Sequence, residues 1–205
     1  MDITWEDITW PKTLFEDDGE ARQEGLHLTD VIKSLMEDAG MKMYTGDGFR
    51  DMELTAEMGL LWERVLSKVM REKFAIRPPQ LQKDGIWMSP DGVNFPSVLS
   101  LGPDPLQEYA TCVEEYKFTW KSTRNAPDQN FYYMAQLKAY CTCLETPAAV
   151  QHIFYCNGDY RGSGPVYRRT RVIFTEWELE DNWRMIKQQA EKIMNQKGNQ
   201  KGKGE

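Results

Sequence analysis

Glu115 and Lys117 stand two residues apart in the run Cys112-Val113-Glu114-Glu115-Tyr116-Lys117-Phe118-Thr119-Trp120. β-forming residues dominate this run, with a proline-rich stretch before it and a polar one after, a pattern that predicts a strand. Residues two apart on a strand share a face, so the carboxylate and the ammonium emerge side by side, with Val113 behind them. Such a pair has two readings. As a surface ion pair it contributes ~0–1 kcal/mol; as a site it is a metal ligand beside a lysine that handles a water. The spacing leaves both open, and the surrounding residues have to decide.

Three further segments offer groups of matching chemistry. A helix over about Glu53–Lys73 carries Leu54, Met58, Leu61, Leu66 and Val69 at helical spacing. On it, Gly59 and Glu63 lie four apart; a mid-helix glycine costs ~1 kcal/mol against alanine and predicts close approach of another element, with Glu63 near that contact. The short apolar strand Gly85-Ile86-Trp87-Met88 leads into Ser89-Pro90-Asp91-Gly92-Val93. If it pairs antiparallel with the Glu115 strand, Asp91 comes near Glu115. Pro-Asp recurs at Pro103-Asp104, but Asp104 lies between two prolines and is unsuited to a ladder, so Asp91 is preferred. The connection that follows, with Pro96, Pro103 and Pro105, has the length of a functional loop. Finally, a helix over about Phe131–Glu145, closed by Pro147, presents Tyr133, Gln136 and Tyr140 on one face.

The chain has only His27 and His152, and its four cysteines, Cys112, Cys141, Cys143 and Cys156, match no zinc or iron–sulfur spacing. They read as reduced, mostly buried thiols. A metal here is therefore expected on oxygen ligands, which suits Mg²⁺ or Mn²⁺. Asp47-Gly48 reads as a turn, not a calcium loop.

At 205 residues, 40% of them hydrophobic, one domain with a proper core is expected. No apolar run approaches a membrane span, and no basic segment followed by an apolar block marks a secretory signal. A cytoplasmic protein is expected. The first 40 residues carry eleven acids against Lys12, Arg22 and Lys33, a balance of −8 against −7 for the whole chain. The acidity lies in an N-terminal arm, which also holds the near-repeat Asp2-Ile3-Thr4-Trp5-Glu6-Asp7-Ile8-Thr9-Trp10; its tryptophans are expected to dock on this body or a neighbouring subunit. The rest is neutral enough for a basic groove beside an acidic site. A helix capped by Thr29 runs through Val31, Ile32, Leu35 and Met36 to Gly40. Late strands are expected at Val150–Tyr155 and Tyr167–Phe174, the latter with Arg168, Arg169 and Arg171. A last helix follows over about Asp181–Met194, then a mobile basic tail.

In order, these segments resemble the PD-(D/E)XK nuclease superfamily, above all lambda-type phage exonucleases, YqaJ-type recombination nucleases and RecB-like nuclease domains. The resemblance rests on Ser89-Pro90-Asp91-Gly92, on Glu115-Tyr116-Lys117, on Tyr132-Tyr133-Met134-Ala135-Gln136-Leu137-Lys138-Ala139-Tyr140, and on Gly59-Leu60-Leu61-Trp62-Glu63, and spans about residues 20–190. It implies an α/β fold, a mixed central sheet of four or five strands flanked by helices, with the site at one sheet edge. It implies a DNA nuclease that hydrolyses phosphodiester bonds, foremost an exonuclease of phage-type recombination or repair, using Mg²⁺, with Mn²⁺ able to substitute. Asp91, Glu115 and the Tyr116 carbonyl would hold the ion, with Glu63 completing the shell directly or through water. Lys117 would position and help deprotonate the attacking water, Gln136 would orient that group, and Tyr140 would pack beside the site or touch the nucleic-acid backbone. Arg22 and Thr29 sit where lambda-type enzymes carry residues near the terminal phosphate.

The expected organisation is an acidic arm over 1–25, a nuclease domain over 26–195 and a flexible basic tail over 196–205. Expected partners are DNA, further copies of the chain, and a single-strand annealing or recombination protein; no membrane partner is expected. At least one of Arg168, Arg169 and Arg171 is expected to contact phosphate. Two alternatives stay open: a structure-selective, resolvase-like endonuclease with the same metal core, and a non-catalytic nucleic-acid-binding module of nuclease-like fold.

Overall fold

The computed structural model describes residues 22–41, 52–71, 75–94, 111–124, 126–162 and 164–201. The Asp-Ile-Thr-Trp repeat, the Asp47-Gly48 turn, Asp104 and most of the proline-rich connection lie outside the described residues.

The elements run β1 (Leu26–His27), α1 (Leu28–Asp38), α2 (Met52–Arg71), β2 (Ala75–Ile76), β3 (Leu81–Lys83), β4 (Ile86–Met88), β5 (Gly92–Asn94), β6 (Cys112–Thr119), α3 (Phe131–Cys143), β7 (Ala148–Tyr155), β8 (Val166–Ile173) and α4 (Glu176–Lys201). Five strands form a mixed sheet in the order β2-β5-β6-β7-β8, and three form a small sheet in the order β1-β4-β3. β6 and β7 are parallel, joined over α3, while β5 and β8 run antiparallel to their neighbours. The fold is thus α/β, with the mixed central sheet expected from the sequence.

β6 is buried on both faces, which is why its sequence reads as an almost unbroken run of β-formers. One face, bearing Val113, Glu115 and Lys117, looks toward α1, α3 and α4; Val113 and Ala149 pack there with Val31, Ile32, Leu137 and Ile186. The reverse face, bearing Cys112, Glu114, Tyr116 and Phe118, is covered by α2. Trp62 of that helix packs on Phe154 at 4.8 Å and on Tyr167 at 6.0 Å, between ring centroids.

Local chemistry explains the element ends and corrects several expectations. The N-cap of α1 is His27, extended at φ −103° and without a side-chain capping bond, not Thr29, which lies in the first turn. Gly40, at φ +62°, stops α1 in the left-handed conformation that glycine adopts without strain. Gly59 does not mark a close approach: a Cβ there would meet no described atom within 4 Å. Asn130 caps α3 by accepting from the Tyr133 N–H at 3.4 Å. The last helix is longer than expected at both ends and reaches Lys201, into the stretch read as a tail. Its start is set by a capping box: the Glu178 carboxylate accepts from the Thr175 N–H at 2.9 Å, and the Thr175 hydroxyl accepts from the Glu178 N–H at 3.3 Å. Among the described residues no helix is long and apolar enough to cross a membrane.

Candidate active site

β5 is short. It begins at Gly92, opposite Glu114, so past that point no described strand pairs with β6 on this side. Asp91, just before β5, takes the place of a strand: its Oδ2 accepts the Tyr116 backbone N–H at 2.7 Å. In an extended strand a residue's N–H and C=O point to the same edge, so the Tyr116 carbonyl also opens toward Asp91. The site therefore lies on the central strand, where its neighbour stops, not at the outer sheet edge the resemblance implied. The turn before Asp91 is tied to α3. The Tyr140 hydroxyl donates to the Ser89 carbonyl at 3.2 Å and accepts from Gln136 Nε2 at 2.7 Å. Tyr140 is buried, and its hydroxyl holds the Ser89–Asp91 turn.

Glu115 is almost fully buried, with Oε1 against the Lys117 ammonium. Beyond that ion pair and the Asp91 side chain against it, neither carboxylate oxygen has a further hydrogen-bond partner. Burial raises the Glu115 pKa, with Lys117 opposing. Burial likewise pushes the Asp91 carboxyl well above the usual range, and Glu115 adds to it, with Lys117 again opposing. For Lys117, burial favours the neutral amine, but the charges of Glu115 and Asp91 together outweigh it and hold the ammonium above the ordinary lysine value. The lowered proton affinity that desolvation alone would give is thus reversed.

Two carboxylates facing one another, each destabilised as an anion by burial and one short of hydrogen-bond donors, fit a cation. Among the described residues no three His, Cys, Asp or Glu side chains converge as a ready-made cage. Mg²⁺ does not need one, because it usually takes one or two carboxylates and fills the rest with water and phosphate oxygens. Asp91, Glu115 and the Tyr116 carbonyl could supply that partial set. Glu63 lines the same cleft. It is held by Arg77 at 3.0 Å, and burial, with Asp91 nearby, raises its pKa against the pull of Arg77.

These residues form the floor of a cleft of about 600 Å³, whose walls include Arg22, His27, Thr29, Arg77, Trp87 and Tyr132. Gln136 reaches the cleft with its Oε1 free of partners. Arg22 pairs with Asp30 at 2.6 Å on the rim. Gly25, at φ +135°, lets the chain pass against the Trp87 ring, where a Cβ would come within 3.1 Å. Arg77 was invisible to sequence reasoning: it precedes Pro78-Pro79, which signals an extended backbone but not that the chain returns to Glu63.

Arg168, Arg169 and Arg171 are not brought to this cleft. β8 is the far strand of the sheet, and its register places Arg169 opposite His152 and Arg171 opposite Val150, on the reverse face from Glu115. Arg168 shares the Lys117 face, but its guanidinium donates to the Thr123 carbonyl at 3.2 Å and lies over the Tyr155 ring.

No family model matches the chain, and no curated protein matches it. Solved structures resemble it in shape, among them the following three. LHK-Exo in complex with dAMP aligns with a TM-score of 0.51 at 10% identity, over 87% of this chain and 92% of that one. An alkaline exonuclease (LHK-Exo) from Laribacter hongkongensis aligns at 0.45 and 13% identity, over 85% and 94%. The protein SSO0001 aligns at 0.49 and 12% identity, over 87% and 80%. Of these three the dAMP complex alone exceeds 0.5, and at such low identity the likeness is one of fold: this chain shares the α/β architecture of LHK-Exo across most of both molecules.

Proposed function

We propose that this chain is a metal-dependent DNA nuclease that hydrolyses phosphodiester bonds, and within that class an exonuclease of the phage recombination and repair type. The observation that carries this reading is the buried Glu115 carboxylate, short of donors, facing Asp91 and paired with Lys117 on the floor of an open cleft. An ordinary strand residue would not leave a carboxylate so placed, because burying one without full hydrogen bonding is costly. The fold shared with LHK-Exo, whose complex with dAMP holds a nucleotide, supports the same class.

Asp91, Glu115 and the Tyr116 carbonyl would hold Mg²⁺, or Mn²⁺ in its place. When bound, the ion neutralises phosphate charge and lowers the pKa of a water. The chain's own groups do the positioning. Asp91 is fixed by the Tyr116 N–H and, through Ser89, by Tyr140 and Gln136. Lys117, as an ammonium, donates to the attacking water or a phosphate oxygen and so orients them. The free Gln136 Oε1 accepts from the same water or from Lys117. Arg22, Thr29 and Arg77 line the wall where a phosphate chain would enter. Contacts mainly to phosphate give little sequence preference. Assembly with further copies, and cooperation with a single-strand annealing or recombination protein, belong to this reading.

End-labelled linear duplex and a supercoiled circle, incubated with Mg²⁺, Mn²⁺ or EDTA, test it. Linear DNA should be degraded with either metal, and both the circle and the EDTA sample should stay intact. Nicking of the circle would instead identify a resolvase-like endonuclease. No cleavage of duplex, single strand or RNA would leave a non-catalytic binding module.

A further inference from the structure

Gln151 is fully buried on β7, and neither its Oε1 nor its Nε2 has a hydrogen-bond partner. The parallel register sets it directly beside Glu115, and on its other side beside Thr170 of β8. Register partners put their side chains on one face, so Gln151 stands behind the carboxylate that faces the cleft. Its neighbours on that face of β7, Ala149 and Ile153, are apolar and fully buried. An apolar residue would suit this position better unless the amide has a task, since a buried polar group without a partner costs free energy.

The atom types indicate the task. Apart from the ion pair of Glu115 Oε1 with Lys117, the buried atoms without a hydrogen-bond partner on this side of the sheet, among the described residues, are the Glu115 oxygens, Gln136 Oε1 and the two amide atoms of Gln151. The carboxylate oxygens and Gln136 Oε1 are acceptors. Gln151 Nε2 is the donor among them.

We propose that Gln151 is a positioning residue for the metal site: its amide N–H donates to the Glu115 carboxylate through one buried water and fixes the orientation in which that carboxylate faces the cleft. Metal-ligating carboxylates are ordinarily held by such hydrogen bonds, and losing one costs about 10–100-fold in metal affinity or activity. The inference rests on the nuclease reading above, because it assigns Glu115 as a ligand.

Gln151→Met keeps the length and bulk of the side chain and removes the amide. Two measurements, both independent of cleavage, separate positioning from packing. Titration calorimetry with Mn²⁺ and no DNA should show affinity about 10–100-fold weaker than in the unaltered chain. Thermal unfolding in EDTA should show a midpoint equal to or above that of the unaltered chain, since unpartnered polar atoms have gone. Unchanged Mn²⁺ affinity in Gln151→Met overturns the proposal and leaves the nuclease reading standing. An unaltered chain that binds no Mn²⁺ overturns both. Should Gln151→Met not fold, NMR of the unaltered chain decides: the Gln151 side-chain amide protons should shift as Mg²⁺ is added, and resonances unmoved at saturating Mg²⁺ overturn the role.

Discussion

At Lys117 two physical effects oppose each other, and their balance sets what the residue can do. Burial favours the neutral amine, but Glu115 and Asp91 favour the ammonium and win. An ammonium donates and does not accept, so in the proposed mechanism Lys117 would orient the reacting water more readily than take a proton from it. Lys117→Ala should therefore still bind Mg²⁺ and DNA, yet cleave ~10²–10⁴-fold slower in a single turnover, the range for a positioned acid–base group. Glu115→Ala should lose metal binding together with activity. Mg²⁺ affinity and single-turnover rates for both variants separate these roles, and a near-normal rate in Lys117→Ala would remove the lysine from the mechanism. Both residues were legible in the sequence because a strand repeats every two residues and needs no tertiary information to put them on one face. Asp91 was legible because its Pro-Asp-Gly context marks the end of one strand and the start of another. Arg77 was not, because its closeness to Glu63 depends on how α2 returns to the sheet.

At the scale of the element, β6 carries two polar groups on opposite faces, and the sequence drew attention to one. Behind the site, Glu114 is fully buried against His152 Nε2, and Asn94 Nδ2 donates to its other oxygen at 3.1 Å. Tyr167 Oη lies 2.5 Å from His152 Nδ1, so a histidine protonated on Nε2 donates to Glu114 and accepts from the tyrosine. Removing the histidine leaves a buried carboxylate with one donor. His152→Ala should cost about 3–5 kcal/mol, the range for breaking a buried pair from one side. The double change Glu114→Leu with His152→Leu should cost less than the single one. Urea unfolding midpoints measure both, and a His152→Ala cost under about 1 kcal/mol would show that Glu114 finds another partner. In the sequence His152 served only to argue against a histidine-rich metal site, since a lone histidine in an apolar run does not announce which glutamate it meets. Thr175-Glu176-Trp177-Glu178 hid a similar lesson: the capping box at Thr175 and Glu178 was readable as a helix start, and reading it would have placed the start of α4 correctly.

For the molecule as a whole, the question is how a chain of net charge −7 approaches a polyanion. The acids concentrated in the first 40 residues leave the remainder close to neutral, so local placement of cations decides the path. Sequence reading put that burden on Arg168, Arg169 and Arg171, which the alternation of β8 divides between two faces. The cleft instead has Arg22 and Arg77 on its walls, above the carboxylates of its floor. Each arginine that contacts phosphate releases condensed counterions, contributing close to one unit of slope when log affinity is plotted against log salt. Arg77→Ala should weaken binding to duplex DNA and reduce that slope by about one, measured by fluorescence anisotropy in EDTA so that no cleavage intervenes. Arg169→Ala, altered on the face opposite Glu115 and Lys117, should leave both affinity and slope unchanged. Arg77 has a second partner in Glu63, and its loss also bares that carboxylate, so the affinity change alone would mix two effects. The slope counts phosphate contacts, which makes it the deciding measurement. A slope lowered in Arg169→Ala and intact in Arg77→Ala would run the DNA across the reverse face of the sheet, away from Asp91, Glu115 and Lys117, and would leave those residues no phosphate to act on.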